Sequence, residues 1–306
     1  MIVAKPFSSK NIKSPLNYIG GKHKLLNQII PLFPKKINTF VDLFAGGCNV
    51  GINIQAKKII FNDNLTYLIE LFNIFKNDDI NDTINHIENR INEFQLSKIN
   101  ESGYKEFRSF YNKNKIPLDL FVLIAYSFNH QIRFNNSHEF NNPFGKNRSS
   151  FNETMKSNLI NFINNLQNKE NEFLNDSFEN FNFSKLSEND FVYCDPPYLI
   201  TTGSYNDGKR GFKGWTEKEE TELLNVLDYL DSQNINFALS NVIEHKGNEN
   251  TLLKNWLKER EYKINYLNQN YANSNYQTKI RDDKASIEVL ITNYISENNQ
   301  PNLFDL

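Results

Sequence analysis

A short stretch, TFVDLFAGG at residues 39–47, is the starting point for the fold. Its apolar run closes on an alanine and two glycines, which predicts a buried strand entering a tight turn. Glycines directly after a first strand let a ligand approach the backbone closely. Apolar positions over residues 50–56 predict a helix after this turn, and residues 58–61 predict a second strand that ends at the polar triplet 62–64.

Strands and helices continue to alternate on both sides of a different middle region. Helices are predicted over residues 65–75 and 84–94, and strands over 172–175, 190–194, 235–239 and 287–294. This alternation predicts a doubly wound, largely parallel sheet. In the middle, residues 117–130 and 154–168 predict helices that flank a polar, Asn-rich segment at 131–152. We therefore predict one α/β domain from residues 14–79 and 171–296, an insertion at 80–170 and a tail at 297–306.

Composition and charge exclude several classes of protein. The chain of 306 residues has two Cys and five scattered His, so we predict neither a disulfide framework nor a metal site. No apolar run approaches the roughly 20 residues of a membrane helix, and no signal peptide is apparent, so we expect a cytoplasmic protein without membrane contact. The net charge is −2, yet residues 1–60 carry nine Lys and one acid, and residues 131–150 and 203–214 are net basic. This asymmetry predicts a basic face for a polyanion.

The residues most indicative of chemistry are Asp195, Pro196, Pro197 and Tyr198, which directly follow the predicted strand 190–194. Two consecutive prolines fix φ and donate no backbone hydrogen bonds. The chain must therefore leave the sheet as a stiff turn at the carboxyl end of the strand, where open α/β sheets bind ligands. A carboxylate, a prolyl carbonyl and an aromatic face together suit an exocyclic amine on a planar ring.

Asp63 and the Gly-rich turn together favour a nucleoside ligand, although neither glycine segment matches a standard nucleotide-binding fingerprint. Asp63 follows the second predicted strand, where an acid can accept hydrogen bonds from ribose hydroxyls. The Gly-rich turn at 44–47 lacks the dinucleotide fingerprint, because Cys48 stands where a glycine would be needed. Residues 18–23, YIGGKH, also fail the P-loop pattern, although their glycines and Lys22 can wrap a charged small ligand.

In this order the motifs resemble those of the alpha-group, Dam-like adenine-N6 DNA methyltransferases, from about residue 14 to 294. Residues 14–22 resemble the family's N-terminal cofactor motif, 44–47 its F-x-G-x-G turn and 175–178 the segment beside the cofactor adenine. Residues 133–145 resemble its DNA-contacting β-hairpin, and 195–198 its catalytic motif. The resemblance implies a Rossmann-like S-adenosylmethionine-dependent fold with a mixed sheet, in which the insertion is a mostly helical DNA-recognition region carrying a β-hairpin.

The resemblance also implies roles for individual residues. Catalysis falls to Asp195, Pro196 and Tyr198. The expected cofactor-binding residues are Tyr18, Gly21, Lys22, Phe44, Gly46, Asp63, Asp176, Phe178 and Asp195. The expected DNA contacts are Arg133, Asn135, Asn142, Lys146, Arg148, Lys209 and Arg210.

Function and partners follow from the same resemblance. We expect methyl transfer from S-adenosylmethionine to adenine N6 in a short double-stranded DNA sequence, by base flipping and without a covalent enzyme intermediate or a metal. We expect a monomer serving a restriction–modification system whose endonuclease acts separately. Two alternatives remain open, namely an RNA adenine-N6 methyltransferase and a catalytically silent DNA-binding module. Cytosine N4 and nicotinamide chemistry are disfavoured by Asp195 and by the missing dinucleotide fingerprint.

Overall fold

The structure is a computed structural model that describes residues 11–18, 20–201, 214–268 and 286–296. Within these ranges a mixed sheet has the order β3-β2-β1-β4-β5-β8-β7, with the short β6 beside β5. Its strands are β1 Thr39–Asp42, β2 Lys58–Asn62, β3 Asn171–Leu174, β4 Phe191–Cys194, β5 Asn236–His245, β6 Asn248–Glu249, β7 Lys263–Leu267 and β8 Ser286–Thr292. Strands β1 to β5 run parallel, whereas β8 is antiparallel to both β5 and β7. The mixed α/β sheet that the sequence predicts is confirmed.

Helices cover both faces of the sheet. They are α1 Leu26–Ile29, α2 Thr66–Asn77, α3 Ile80–Glu93, α4 Glu101–Asn114, α5 Pro117–Tyr126, α6 Glu153–Gln167, α7 Glu217–Ser232 and α8 Thr251–Lys258. Alternate side chains of a strand point to opposite faces. Phe40 and Tyr193 therefore join one apolar cluster with residues of α2 to α6, whereas Val41 and Val192 join another with residues of α7 and α8. Burial on both faces explains why these strands read as continuous apolar runs.

Helices α3 to α6 lie between α2 and β3 in the chain, where the insertion was predicted. Their buried side chains belong to the same apolar cluster as one face of the sheet. The helical region therefore packs onto the sheet instead of enclosing a separate core. The boundaries at residues 80 and 170 remain a prediction, and the tail 297–306 lies outside the described residues.

Two predicted helices are shorter in the structure. The helix expected over 50–56 is a single 3-10 turn at Gly51–Asn53. Asp42 Oδ2 accepts a hydrogen bond from Gly51 N at 3.0 Å, and a Cβ at Gly51 would collide with the ring of Phe61, so the chain is held against the sheet. The helix expected over 117–130 ends at Tyr126, and Asn129 beyond it has a left-handed backbone with φ of 55°.

The β-hairpin expected around residues 133–145 is a chain reversal with two isolated antiparallel bridges, Phe134 to Phe140 and Ser127 to Phe144. Asn135 N donates to Glu139 O at 2.9 Å within this reversal. No continuous strand pair forms in this described segment. We refer to residues 131–145 as the bridged loop.

Candidate active site

A cavity of about 410 Å³ lies at the carboxyl ends of the central parallel strands. Parallel strands present their carboxyl ends at one edge, where residues that follow different strands come together. The cavity is lined by all the residues predicted for cofactor and catalysis, namely Tyr18, Gly21, Lys22, Phe44, Gly46, Asp63, Asp176, Phe178, Asp195, Pro196 and Tyr198. The structure thus gathers two sets of residues that are far apart in sequence.

The turn after β1 forms the floor of the cavity. Gly46 has a left-handed φ of 47°, and a Cβ built on it would lie 3.0 Å from the ring of Tyr18. The turn is tied to the end of β2, because Ala45 N donates to Asn62 O and Gly46 N donates to Asp63 Oδ2, both at 2.8 Å. A glycine at position 46 therefore satisfies both the backbone conformation and the close approach of an aromatic ring.

Asp63 is held by its own backbone as well as by the turn. Its Oδ1 accepts a hydrogen bond from Leu65 N at 2.9 Å at the start of α2. Burial raises the pKa of Asp63, and the hydrogen bonds from Leu65 and Gly46 oppose this shift. Each carboxylate oxygen carries more than one lone pair, so this geometry leaves acceptor capacity facing the cavity.

One wall of the cavity is aromatic. The ring of Phe44 lies 5.4 Å from that of Phe178 and 5.6 Å from that of Trp215, centre to centre. Trp215 is fixed because its Nε1 donates to Glu220 Oε2 at 2.6 Å. Trp215 was not among the predicted cofactor residues, although the capping box of Thr216 and Glu219 that begins α7 marks the position beside it.

The opposite end of the cavity holds a buried polar cluster. Lys22 Nζ lies 2.7 Å from Asp195 Oδ1 and 3.6 Å from Glu288 Oε1, and it sits 5.0 Å from the ring centre of Tyr198. The Tyr198 hydroxyl donates toward Asp195 Oδ1 at 3.0 Å and Glu288 Oε1 at 2.9 Å. Burial raises the pKa of Asp195, whereas Lys22 acts in the opposite direction. Glu288 was not predicted as a site residue, because a single acid inside the apolar strand β8 carries no local signal of function.

Asp42 forms a second buried carboxyl group beside this cluster. It lines the cavity at the end of β1, and burial raises its pKa to about 7 despite the hydrogen bond from Gly51 N. A carboxyl with this pKa is partly protonated at neutral pH.

The described residues among those predicted to bind DNA do not line the cavity and lie in and beside the bridged loop. Arg133, Lys146 and Arg148 are exposed, and the Arg148 guanidinium lies 5.0 Å above the ring of Phe128, which is itself 40% exposed. Lys209 and Arg210 lie outside the described residues. The three described cations are therefore accessible from solvent.

The two predicted asparagines instead stabilise the bridged loop. Asn135 Oδ1 accepts hydrogen bonds from the backbone N–H groups of Ser137 and Glu139, both at 2.9 Å. Asn142 is only 3% exposed, and its Nδ2 donates to the carbonyls of Phe128 and Gln131 at 3.0 and 2.9 Å. Asn142 is therefore committed to the loop's own backbone, which does not suit the predicted DNA contact.

The described ranges contain neither a metal-binding cluster nor a membrane-spanning helix. No group of three or more His, Cys, Asp or Glu side chains there is arranged to hold a metal ion. No helix in those ranges has the length and apolar character to cross a membrane.

A sheet of this order, with Asp-Pro-Pro-Tyr and a Gly-rich turn on one cavity, is the architecture of an α/β methyltransferase. The chain belongs to the D12 class of N6 adenine-specific DNA methyltransferases, a family that it matches over residues 18–298. The Dam-like resemblance inferred from the motifs is thereby confirmed.

Several curated relatives are similar over most of this chain. Modification methylase StsI of Streptococcus sanguinis is 58% identical over 287 residues, which cover 94% of this chain and 44% of that protein. Type II methyltransferase M.FokI of Planomicrobium okeanokoites is 56% identical over 292 residues, covering 95% and 44%. The DNA adenine methylase of Escherichia coli (strain K12) is 27% identical over 236 residues, covering 76% and 81%. This chain thus spans less than half the length of the first two relatives.

Proposed function

We propose that this chain transfers a methyl group from S-adenosylmethionine to N6 of adenine in a short duplex DNA sequence. The observation that carries the proposal is that Asp195 and Tyr198 open onto the same cavity as Asp63 and the aromatic wall. A cofactor site and an amine-binding turn then share one cavity, so that donor and acceptor can be aligned for direct transfer.

The cavity residues fit the proposed cofactor. Asp63 offers acceptors to the ribose hydroxyls, and the rings of Phe44, Phe178 and Trp215 offer flat apolar surface to the adenine. Gly46 keeps its backbone open where a side chain would press on Tyr18. The bound group would supply a methyl already activated by its sulfonium.

The pairing of Lys22 with Asp195 determines the order in which cofactor and adenine bind. It is paired with Asp195, which is the carboxylate that must accept hydrogen bonds from the target amine. Asp195 is released for that purpose when Lys22 finds another anion, and the carboxylate of the methionine moiety is such an anion. We therefore expect cofactor to bind before the flipped adenine enters.

The protein's part in the transfer is to orient the amine. Asp195 and the Pro196 carbonyl would accept the two N–H groups of adenine N6, which frees the nitrogen lone pair from the ring. The N6–carbon bond forms as the sulfur–carbon bond breaks, and the amine loses one proton, for which the Asp195 carboxylate is an acceptor within reach. Flipping the base out costs a few kcal/mol. Stacking on Tyr198, worth about 1–3 kcal/mol, offsets part of that cost.

The biological setting is proposed from the relatives. StsI is named a modification methylase and M.FokI a type II methyltransferase, so we propose that this chain serves a restriction–modification system with a separate endonuclease. We retain the proposal that the chain is a monomer. Arg133, Asn135, Lys146 and Arg148 remain proposed DNA contacts, together with Lys209 and Arg210 in the part that is not described.

The test is to express the chain in a host without adenine methylation and to sequence its DNA by a method that reports methylated bases. We expect N6-methyladenine at one short sequence with the wild type and none with Asp195→Ala. Methylation of RNA alone would instead indicate an RNA adenine-N6 methyltransferase. Binding to duplex DNA without methylation of DNA or RNA would support the silent module.

A further inference from the structure

The tip of the bridged loop is fastened to the end of helix α4 by Lys115. This residue caps α4 with a left-handed φ of 54°, and its Nζ donates to His138 O at 2.6 Å. The same Nζ lies 5.0, 5.5 and 5.7 Å from the ring centres of Tyr111, Tyr67 and Phe134. An ammonium among three rings with a carbonyl partner is stabilised by cation–π attraction as well as by the hydrogen bond.

A second fastening acts on the return arm of the loop. Asn112, also in the last turn of α4, accepts from Phe140 N at 2.7 Å through Oδ1 and donates to Phe140 O at 3.0 Å through Nδ2. Phe134 and Phe140 are fully buried and their rings meet edge to face at 5.6 Å. The exposed Arg133 is therefore carried on a loop whose neighbouring residues are fixed from both sides.

The same cluster is joined to residues of the cofactor cavity by the first turn of α2. Tyr67 stacks on Phe134 with ring centres 4.4 Å apart. It follows Asp63, Asn64 and Thr66, which line the cavity. The cavity wall and the support of the bridged loop thus lie within one turn of chain at the start of α2.

We propose that Lys115 is a positioning residue for discrimination between DNA sites, because it holds the bridged loop in a fixed register against helices α2 and α4. This inference rests on the proposed function. Discrimination by base contacts requires the contacting side chain to be held in place, because a side chain favours one base only while its hydrogen bonds are aligned with that base's edge. Lys115 itself does not touch DNA in this proposal.

The test compares Lys115→Met with Lys113→Met. Methionine keeps an apolar stem among the rings but removes the donor and the charge, and Lys113 is an exposed lysine of the same helix end. kcat and KM are measured on a duplex with the sequence methylated by the wild type and on duplexes with one base changed. For Lys115→Met we expect kcat/KM on the target duplex, divided by kcat/KM on the changed duplexes, to fall at least tenfold. The main cause should be a higher KM for the target duplex. The affinity for S-adenosylmethionine and kcat at saturation should stay within about twofold, and Lys113→Met should match the wild type.

A second pair of variants guards against misfolding. Asn112→Ala loosens the other arm of the loop, and Asn114→Ala is its control, since Asn114 bonds only within its own helix among the described contacts. Asn112→Ala should lower discrimination in the same direction. Unchanged discrimination in Lys115→Met, or an equal loss on every duplex together with a lower melting temperature, would overturn the inference. A wild type that leaves DNA unmethylated would instead overturn the proposed function.

Discussion

In the polar cluster around Lys22, substitutions of single residues should separate effects on methyl transfer from effects on binding. Asp195→Ala should lower kcat by at least about 100-fold, because the amine loses its acceptor, while S-adenosylmethionine affinity stays within a few-fold. Tyr198→Ala should also slow transfer, but through loss of the stacking surface. It should therefore be partly rescued by a mismatch opposite the target adenine, where flipping costs less.

The rescue experiment is decisive because the two side chains touch. Tyr198 donates to Asp195 Oδ1, so a simple loss of rate does not tell them apart. Tyr198→Phe is the matched control, since it removes that hydrogen bond and keeps the ring. Equal rescue of Asp195→Ala and Tyr198→Ala would make Asp195 a flipping residue, and near-normal turnover of Asp195→Ala would make the motif a structural loop.

The site was predictable wherever a functional residue follows a strand. Asp63 and Asp195 stand directly after β2 and β4, and parallel strands bring such positions to one edge. The contact of Lys22 with Asp195 was not predictable, because it joins residues that are far apart in the chain. Glu288 was missed since its role depends on its neighbours across the sheet.

At the scale of elements, the packing of α3 on α5 depends on one buried carboxylate. Asp119 on α5 is fully buried, and its Oδ1 lies 2.6 Å from His86 Nε2 and 2.9 Å from Arg90 Nε on α3. Asp119→Ala removes this partner from the Arg90 guanidinium, which keeps its pair with Glu93, so we expect the free energy of unfolding to fall by about 1–3 kcal/mol in urea titrations.

Glu93→Ala is the control for that measurement. Glu93 is 51% exposed and also pairs with Arg90, at 2.7 Å, yet a surface pair contributes only about 0–1 kcal/mol. Similar losses for Glu93→Ala and Asp119→Ala would mean that burial of the Asp119 contact adds no stability.

Helices and strands could be predicted where the pattern of apolar residues determines the structure. They could not be predicted where side chains hydrogen-bond the backbone in place of a neighbouring strand. β1, β2 and β4 were readable from their apolar runs. In the bridged loop, Asn135 and Asn142 satisfy backbone groups that a strand ladder would otherwise pair, so the chain reverses without one. Neither asparagine's partners are visible in a linear pattern.

For the whole molecule, the buried carboxyl of Asp42 predicts a dependence of stability on pH. Its pKa is about 7 in the folded protein, above the ordinary value near 4, so the folded state holds the proton more tightly. The resulting stabilisation is present at low pH and is lost as pH rises through about 7. Asp63 and Asp195 are shifted in the same direction.

Asp42→Asn isolates this contribution, because Asn resembles the protonated acid and can still accept from Gly51 N. The melting temperature of the wild type minus that of the variant should fall between pH 5 and pH 8, as the wild type alone must bury a charge at the higher pH. A difference that does not change with pH would remove Asp42 as the titrating group.

Because the net charge of the chain is −2, binding to DNA must depend on a local concentration of Lys and Arg side chains. Lys146 is exposed beside the bridged loop, and as a phosphate contact it would release about one counterion on binding. Lys146→Ala should weaken binding to duplexes with the target sequence and to random duplexes alike, and it should lower the slope of log K against log salt by about 1.

Arg133→Ala should instead lower the preference for the target sequence over random duplexes, since Arg suits guanine O6 and N7. Binding titrations at several salt concentrations on both duplexes measure each effect, and equal losses on both for Arg133→Ala would assign Arg133 to the backbone.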